Sequence, residues 1–443
     1  MRLSRLLALL LIVVALGAFI YFFERHQTTT DLRRELQDKV FPGLEQDDIE
    51  RVSLRNSAGR FDLVRQEGEW FLSAPVEDRA DSGAVSGLSW SLATLRAERV
   101  LEEELDLSAY GLQDPELEVT VWTRDGRERR LSFGDLMPLG HSRAVTTGDG
   151  RVALVGGAIA GDLQRGLAGW RSTELARVWE ADVAAVSIQE HGSSVQLVRS
   201  QGVWSLTAPI SDIADRERAQ GLLSDLSGAR IREFVDDPPP PAELGLDAPT
   251  VELTITRRED APAIRLAFGR ERTVDGELQV ACRRGEQILW VDGSAVKRLS
   301  GSPDHWRSPR LLPFESWAAE FLEVESGGVS VALRRDGFRW LADGVEVDGE
   351  RVRDWLNALS RMMVRGFSPQ PALGEPLGRV VVVTSDEATL VASFVVVGDQ
   401  AAAEVAGRSG TLLVDAEAVQ GLFEDPLSLT FPLVPESSKE PGG

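Results

Sequence analysis

The chain has 443 residues, a hydrophobic fraction of 43% and a formal charge of −22, from 48 basic and 70 acidic residues. That length exceeds one ordinary core and predicts several domains, and a surface so acidic argues against nucleic acid and against a broad basic face for anionic lipid. The single cysteine, Cys282, excludes an internal disulfide and any structural zinc site built on two or four cysteines, and such scarcity fits an oxidising compartment.

Residues 1–26 read as a signal anchor. Arg2 and Arg5 precede Leu6–Phe23, an uncharged, mostly apolar stretch that spans about 27 Å as a helix, near the thickness of a hydrocarbon core. Tyr21, Phe22 and Phe23 suit the interface at its far end. A cleavable signal has a shorter apolar run and a small-x-small site, whereas this run ends in aromatics followed by Glu24-Arg25-His26. Arg2 and Arg5 predict a cytoplasmic N-terminus with the bulk outside, although Arg25, Arg33 and Arg34 soften the contrast. Residues 27–46 follow as a juxtamembrane linker.

Residues 47–180 read as a first module of the α+β class. "RVSLRN", "FDLVRQ" and "EWFLSA" alternate apolar and polar residues as half-buried strands do, with Gly59 and Gly68 between them at hairpin turns. Asp81 is placed to cap a helix whose inward stripe is Val85, Leu88, Leu92 and Leu95. The phrase "YGLQDPELEVTV" then makes a corner: Gly111 takes a positive φ, Leu112 plugs the core and Pro115 starts the next strand extended. Further strands are expected at "LEVTVWT", "RRLSFG", "RAVTTG" and "VALVG", then a short helix near residues 158–167.

The same order recurs. "LVRQEGEWFLSAPVEDRAD" (63–81) aligns with "LVRSQGVWSLTAPISDIAD" (197–215), matching Trp70 with Trp204, Pro75 with Pro209 and Asp81 with Asp215. "YGLQDPELEVTV" matches "LGLDAPTVELTI", "LSFGD" matches "LAFGR", and "GWRSTEL" matches "HWRSPRL". The spacing of roughly 135 residues is that of a small domain rather than a solenoid repeat. Residues 181–318 are therefore a second module, with Gly192 and Gly202 at turns, Asp215 as cap and Leu222, Leu223 and Leu226 inward. Residues 319–430 are a shorter third, with Trp340 in the Trp position, Asp348 as cap and Val352, Leu356 and Leu359 inward. It carries "ALGEPLG" in place of the fuller corner and lacks the closing Trp-Arg-Ser. Residues 431–443, polar and rich in Pro and Gly, predict a disordered tail. The fold class is α+β: tandem modules of antiparallel sheet plus one main helix, behind one N-terminal transmembrane helix.

This combination of an upstream Gly-x-Trp strand, a Gly-Leu-x-x-Pro corner, a closing Trp-Arg-Ser and one N-terminal anchor resembles the bacterial family of domain of unknown function 4340, over about Asp47 to Leu427. The resemblance implies an envelope protein held in the inner membrane, in company with an ABC-type transport system of the kind related to gliding-motility exporters. It brings no catalytic residues with it.

Chemistry-bearing patterns are sparse. His26, His141, His191 and His305 are scattered without partners at ligand spacing. Ser294 and Lys297 match S-x-x-K, but S-D-N and K-T-G are missing. Cys282 reads as a small buried strand residue. Glu102-Glu103-Glu104 and Asp236-Asp237 read as solvated connections, the latter before a stiff proline run, Pro238–Pro241. Tryptophans at matched positions (Trp70, Trp204 and Trp340; Trp170 and Trp306) read as core anchors; Trp90, Trp122, Trp179, Trp290, Trp317 and Trp355 leave room for exposed contacts. No catalytic, cofactor or metal residues are expected. The function expected is a membrane-anchored extracytoplasmic scaffold or interaction protein, accessory to an ABC-type transport system. The alternatives are an envelope protein binding lipid or polysaccharide in a groove between modules, or a glycan hydrolase using two close carboxylates.

Overall fold

A computed structural model describes residues 38–432, apart from 102–105, 139–140, 150, 260 and 398–399. The span expected at Leu6–Phe23 lies outside the described residues, and among those described no helix is long and apolar enough to cross a membrane. The described residues divide into two compact units, one ending at Thr173 and the other beginning at Glu174.

The first unit holds one nine-stranded antiparallel sheet. Its strands are β1 (Ile49–Asn56), β2 (Gly59–Gln66), β3 (Glu69–Ala74), β4 (Asp78–Arg79), β5 (Arg99–Leu101), β6 (Leu117–Thr123), β7 (Glu128–Leu136), β8 (Ser142–Thr146) and β9 (Val152–Gly156), in the order β4-β3-β2-β1-β6-β7-β8-β9-β5. The main helix, α1 (Ser82–Thr94), lies between β4 and β5 in the chain, and the short α2 (Ile159–Leu163) follows β9. The second unit repeats this order twice. Its first sheet comprises β10 (Val183–Glu190), β11 (Ser193–Ser200), β12 (Val203–Ala208), β13 (Asp212–Ile213), β14 (Ile231–Val235), β15 (Val251–Arg257), β16 (Ile264–Val274), β17 (Glu277–Arg284) and β18 (Gln287–Asp292), with α3 (Arg216–Gly228) and α4 (Ser294–Lys297). Its second comprises β19 (Ala319–Ser326), β20 (Val329–Asp336), β21 (Arg339–Ala342), β22 (Val345–Val347), β23 (Val364–Ser368), β24 (Glu375–Thr384), β25 (Thr389–Val397), β26 (Gln400–Val405) and β27 (Thr411–Val414), with α5 (Gly349–Ser360) and α6 (Ala416–Phe423). The orders are β13-β12-β11-β10-β15-β16-β17-β18-β14 and β22-β21-β20-β19-β24-β25-β26-β27-β23. Three tandem sheets, each with one main helix, realise the α+β architecture read from the repeats.

Local chemistry explains why the elements begin where they do. Asp81 accepts from the Ala84 N–H, and Asp215 and Asp348 accept from the N–H groups two and three residues further on, satisfying donors that a helix start leaves open. Val85, Leu88 and Leu92 are buried in the first core, Leu222, Leu223 and Leu226 in the second, and Val352, Leu356 and Leu359 in the third. Each core forms between the helix and one face of its sheet; β6 buries every other residue, the half-buried strand period.

The Gly-Leu-x-x-Pro corner differs from expectation in one respect. It ends a 3-10 turn (Leu107–Tyr110, Pro241–Leu244), and Gly111 and Gly245 take φ 67° and 68°. However, Leu112 does not enter the main core. It packs with Ala144 and Val152 in a second small cluster, as Leu246 does with Ala281 and Trp290. Strand alternation gives β8 two faces, and the corner covers the one that the helix does not. This close approach also explains the glycine of "LSFGD" and "LAFGR": a Cβ on Gly134 would collide with the Tyr110 carbonyl oxygen, and one on Gly269 with that of Leu244. In the third module the buried Phe394 is followed by Val395 in place of that glycine. The corner cannot seat there, and the chain instead enters β24 early, pairing Glu375 with Val396 and Pro376 with Val395.

The third module also closes like the others despite its different letters. The Asp81 N–H donates to the Trp170 carbonyl and the Asp215 N–H to that of Trp306; the Asp348 N–H donates to that of Phe431. Pro432 then bridges to Val347 as Arg171 bridges to Ala80 and Arg307 to Ala214. Phe431 and Pro432 thus stand where the first two copies have Trp-Arg, a substitution too distant in letters to align.

Candidate functional site

The sequence-level candidates do not converge. His141, His191 and His305 are all exposed, His191 at φ 46° in a hairpin turn. Burial, then the neighbouring Arg218, lowers the His305 pKa. His26 lies outside the described residues, as do Glu102, Glu103 and Glu104. Ser294 and Lys297 bound the single-turn helix α4, and Asp236-Asp237 form an exposed bend after β14. In the proline run, Pro240 is extended at φ −49°, ψ 138°, and Pro241 starts the 3-10 turn of the corner. Cys282 is fully buried in β17, and burial pushes its thiol up to about 12, which keeps it protonated and unreactive. Among the described residues no group of three His, Cys, Asp or Glu is placed to hold a metal ion.

The matched tryptophans are core residues: Trp70, Trp204 and Trp340 are buried, as are Trp170 and Trp306. The Trp204 indole N–H donates to Glu180 at 3.1 Å, and Gln220 donates to the other oxygen of that carboxylate at 2.8 Å. Burial opposes the Glu180 charge, but these bonds outweigh it and lower its pKa. Trp90, Trp179 and Trp317 are exposed.

Among the described residues, a dense buried polar cluster joins the second module to the third. Asp212 begins β13, Arg307 follows the closing Trp306, and Arg408 lies in the turn between β26 and β27. Arg408 Nε donates to Asp212 Oδ1 at 2.7 Å, and Arg307 Nε donates to Asp212 Oδ2. Both oxygens of one carboxylate are thereby held by two guanidinium groups, and the three side chains are 0–4% exposed. The remaining donors of Arg408 reach three backbone carbonyls of the linker between the modules: Ser308 at 2.8 Å, Arg310 at 2.5 Å and Leu311 at 3.1 Å. Arg307 reaches Asp304 at 3.1 Å and the Ser409 carbonyl. The Arg307 guanidinium also stacks 3.7 Å from the Phe367 ring centroid. Burial lowers the Arg408 pKa against the opposing pull of Asp212. Its donors are engaged by protein acceptors of both modules and of the linker between them.

The first unit contains the corresponding pair, Arg171 Nε donating to Asp78 Oδ2 at 2.8 Å with both side chains buried. The third module has Val345 and Pro432 at these two places. None of this was legible as a site in the sequence. The aligned repeats carry Asp78 with Asp212 and Arg171 with Arg307, but no sequence signal ties either pair to Arg408.

A family model, domain of unknown function (DUF4340), matches residues 70–249 and again 214–378. The chain belongs to the DUF4340 family. No match is found among curated proteins. Both DUF4340 matches cross a module boundary: one runs from Trp70 in β3 to Pro249 before β15, the other from Ala214 after β13 to Gly378 in β24. The stretch the family model describes is therefore longer than one sheet and includes the junction.

One open cleft marks the third module of this DUF4340 protein. It encloses about 590 Å³ between the β19–β20 turn and the adjoining parts of β24 and β25, with Leu377 and Phe394 on its apolar side and Glu325 and Arg379 among its polar residues. In the first module the last residue of β1, Asn56, donates to the Leu163 and Arg165 carbonyls, and in the second Glu190 accepts from the Gly301 N–H, each tying down the segment after α2 or α4. The equivalent Ser326 donates instead to the Leu377 carbonyl in its own sheet.

Proposed function

We propose that this DUF4340 protein is a membrane-anchored extracytoplasmic scaffold or interaction protein, accessory to an ABC-type transport system of the cell envelope, with no enzymatic turnover of its own. Leu6–Phe23 anchors it in the inner membrane with the N-terminus in the cytoplasm. The observation carrying this reading is the use made of the recurring residues. The repeated tryptophans fill cores, the repeated aspartates cap helices, and the most buried charges join two modules, which is the economy of a load-transmitting array. The test is fractionation of membranes followed by crosslinking and recovery of the anchored chain. Recovery in the membrane fraction together with a transporter subunit supports the reading; a chain found free of the membrane, or crosslinked to no transporter subunit, overturns it.

A second reading rests on the cleft in the third module: binding of a lipid or polysaccharide. Its volume is in the range of small-molecule sites, and it lies within one module, not between two as the sequence suggested. Calorimetric titration with phospholipid and with glycan fragments, repeated on Ser330→Trp to fill the cleft from a strand position, decides it. Glycan hydrolysis is the weaker alternative. A general acid needs a carboxyl held above its ordinary range, whereas the shifted carboxyls among the described residues (Asp106, Asp125, Asp149, Glu180 and Asp386) all move down.

A further inference from the structure

We propose that Asp212 and Arg307 form a socket keyed to the arginine-bearing turn of the third module, and that this socket, more than the covalent linker, makes the second and third modules move as one body.

The linker alone provides an attachment at each sheet edge. The Ser308 N–H donates to the Ile213 carbonyl on the second module, while the Val364 N–H donates to the Pro309 carbonyl and the Leu311 N–H to the Met362 carbonyl on the third. These bonds fall within four consecutive residues. They form a hinge line about which two sheets can rotate, and rotation is the default for neighbouring domains unless a further interface prevents it.

The turn between β26 and β27 supplies the second point of attachment. It is 196 residues from Asp212 in the chain and belongs to neither edge that the linker covers. Arg408 reaches across the hinge line, holds the Asp212 carboxylate and accepts the orientation set by three linker carbonyls. The next residue, Ser409, completes the seat: its hydroxyl donates to the Ser211 carbonyl at 2.6 Å and its own carbonyl accepts from Arg307. Rotation about the linker breaks the bonds to Asp212, Ser211 and Arg307 together and leaves charges buried without partners, so the docked arrangement is held in one geometry.

The key is specific to arginine. A planar guanidinium offers donors in several fixed directions and satisfies a carboxylate and several carbonyls at once, whereas a lysine ammonium is a point charge on a flexible stem. The socket is also absent from the third module, where Val345 replaces the carboxylate and Pro432 the second guanidinium. The carboxylate and guanidinium that seat the third module on the second are therefore not repeated at the equivalent places of the third.

The test is a distance distribution by pulsed electron paramagnetic resonance on the full chain in detergent. Spin labels are placed at Val274→Cys in the second module and Phe338→Cys in the third, both exposed, while the buried Cys282 stays unlabelled. The parent gives one narrow distribution, and Arg408→Lys and Arg408→Ala widen it roughly twofold or more, as for domains joined only by a linker. Asp149→Ala, in the turn between β8 and β9, leaves it unchanged. If Arg408→Ala does not fold by circular dichroism, Arg408→Lys and the isosteric Asp212→Asn are judged by the same criterion. An unchanged width in the folded variants overturns the proposal and assigns rigidity to the linker.

Discussion

Arg408 and Asp212 stand 2.7 Å apart, Nε to Oδ1, with neither side chain exposed to solvent. One belongs to a turn near the end of the third sheet, the other to the edge of the second. That contact, with the three linker carbonyls Arg408 also reaches, makes a bare arginine in "AGRSG" structurally important. It also fixes what the matched letters of this DUF4340 chain mean. Repeated residues build three similar cores, and one arginine docked on a repeated Asp–Arg pair decides how two of them are joined.

Asp212→Ala leaves Arg307 and Arg408 buried without their shared anion. Breaking such a buried pair costs about 3–5 kcal/mol. Urea unfolding should show that loss in the second unit, and a much smaller one for Asp149→Ala, whose partner Arg151 is largely exposed. Equal effects of the two substitutions would contradict a buried joint.

Trp306 is 1% exposed and Trp317 71%. Trp306→Ala should cost about 3–5 kcal/mol by cavity formation, whereas Trp317→Ala should stay within about 0.5 kcal/mol. Thermal unfolding of the two variants checks this directly. If Trp317→Ala weakens recovery of a membrane partner while leaving the melting temperature alone, the exposed ring is a contact residue.

Asp81→Ala and Asp348→Ala each remove a cap and should each cost about 1 kcal/mol. Asp215→Ala should cost more, because Asp215 is the more buried cap; its ion pair with Arg218 at 3.0 Å has a counterpart in Asp348 with Arg351 at 3.2 Å. Asn at the three positions should recover most of the loss, since the amide oxygen still accepts from the first turn. Failure of Asn to rescue would point to a role for the charge beyond capping.

Gly134→Ala and Gly269→Ala force a methyl into the carbonyl of the opposing corner. Overpacking of this kind costs typically about 1–3 kcal/mol. Gly87→Ala, on α1 with nothing within 4 Å of its Cβ, should instead stabilise by up to about 1 kcal/mol through helix propensity. Denaturant midpoints that move in opposite directions confirm the seating of the corner.

Cys282 should resist alkylation in the folded chain and react once the chain is unfolded. Its thiol titrates at about 12 in place of 9.0, with burial the cause. The folded state therefore keeps a proton that the unfolded state releases above pH 9.0, so this group's contribution is complete below that pH and is lost as pH rises toward 12. Cys282→Ala should flatten that part of the alkaline stability profile.

The sequence by itself determined what is local. Alternation in "LEVTVWT" marked a half-buried strand, the spacing of Val85, Leu88 and Leu92 marked an inward helix face, and Asp81, Asp215 and Asp348 marked three helix starts, because each depends on residues within one turn or one pleat. Repetition of those signals was enough to reveal three modules. The tertiary structure alone decided the rest. It set Leu112 in an outer cluster, put Phe431 in a tryptophan's place, opened a cleft where Ser326 bonds within its own sheet, and brought Arg408 to Asp212. Each of these depends on which distant backbone lies opposite a side chain, and the periodicity of a sequence carries no record of partners on other strands and other sheets.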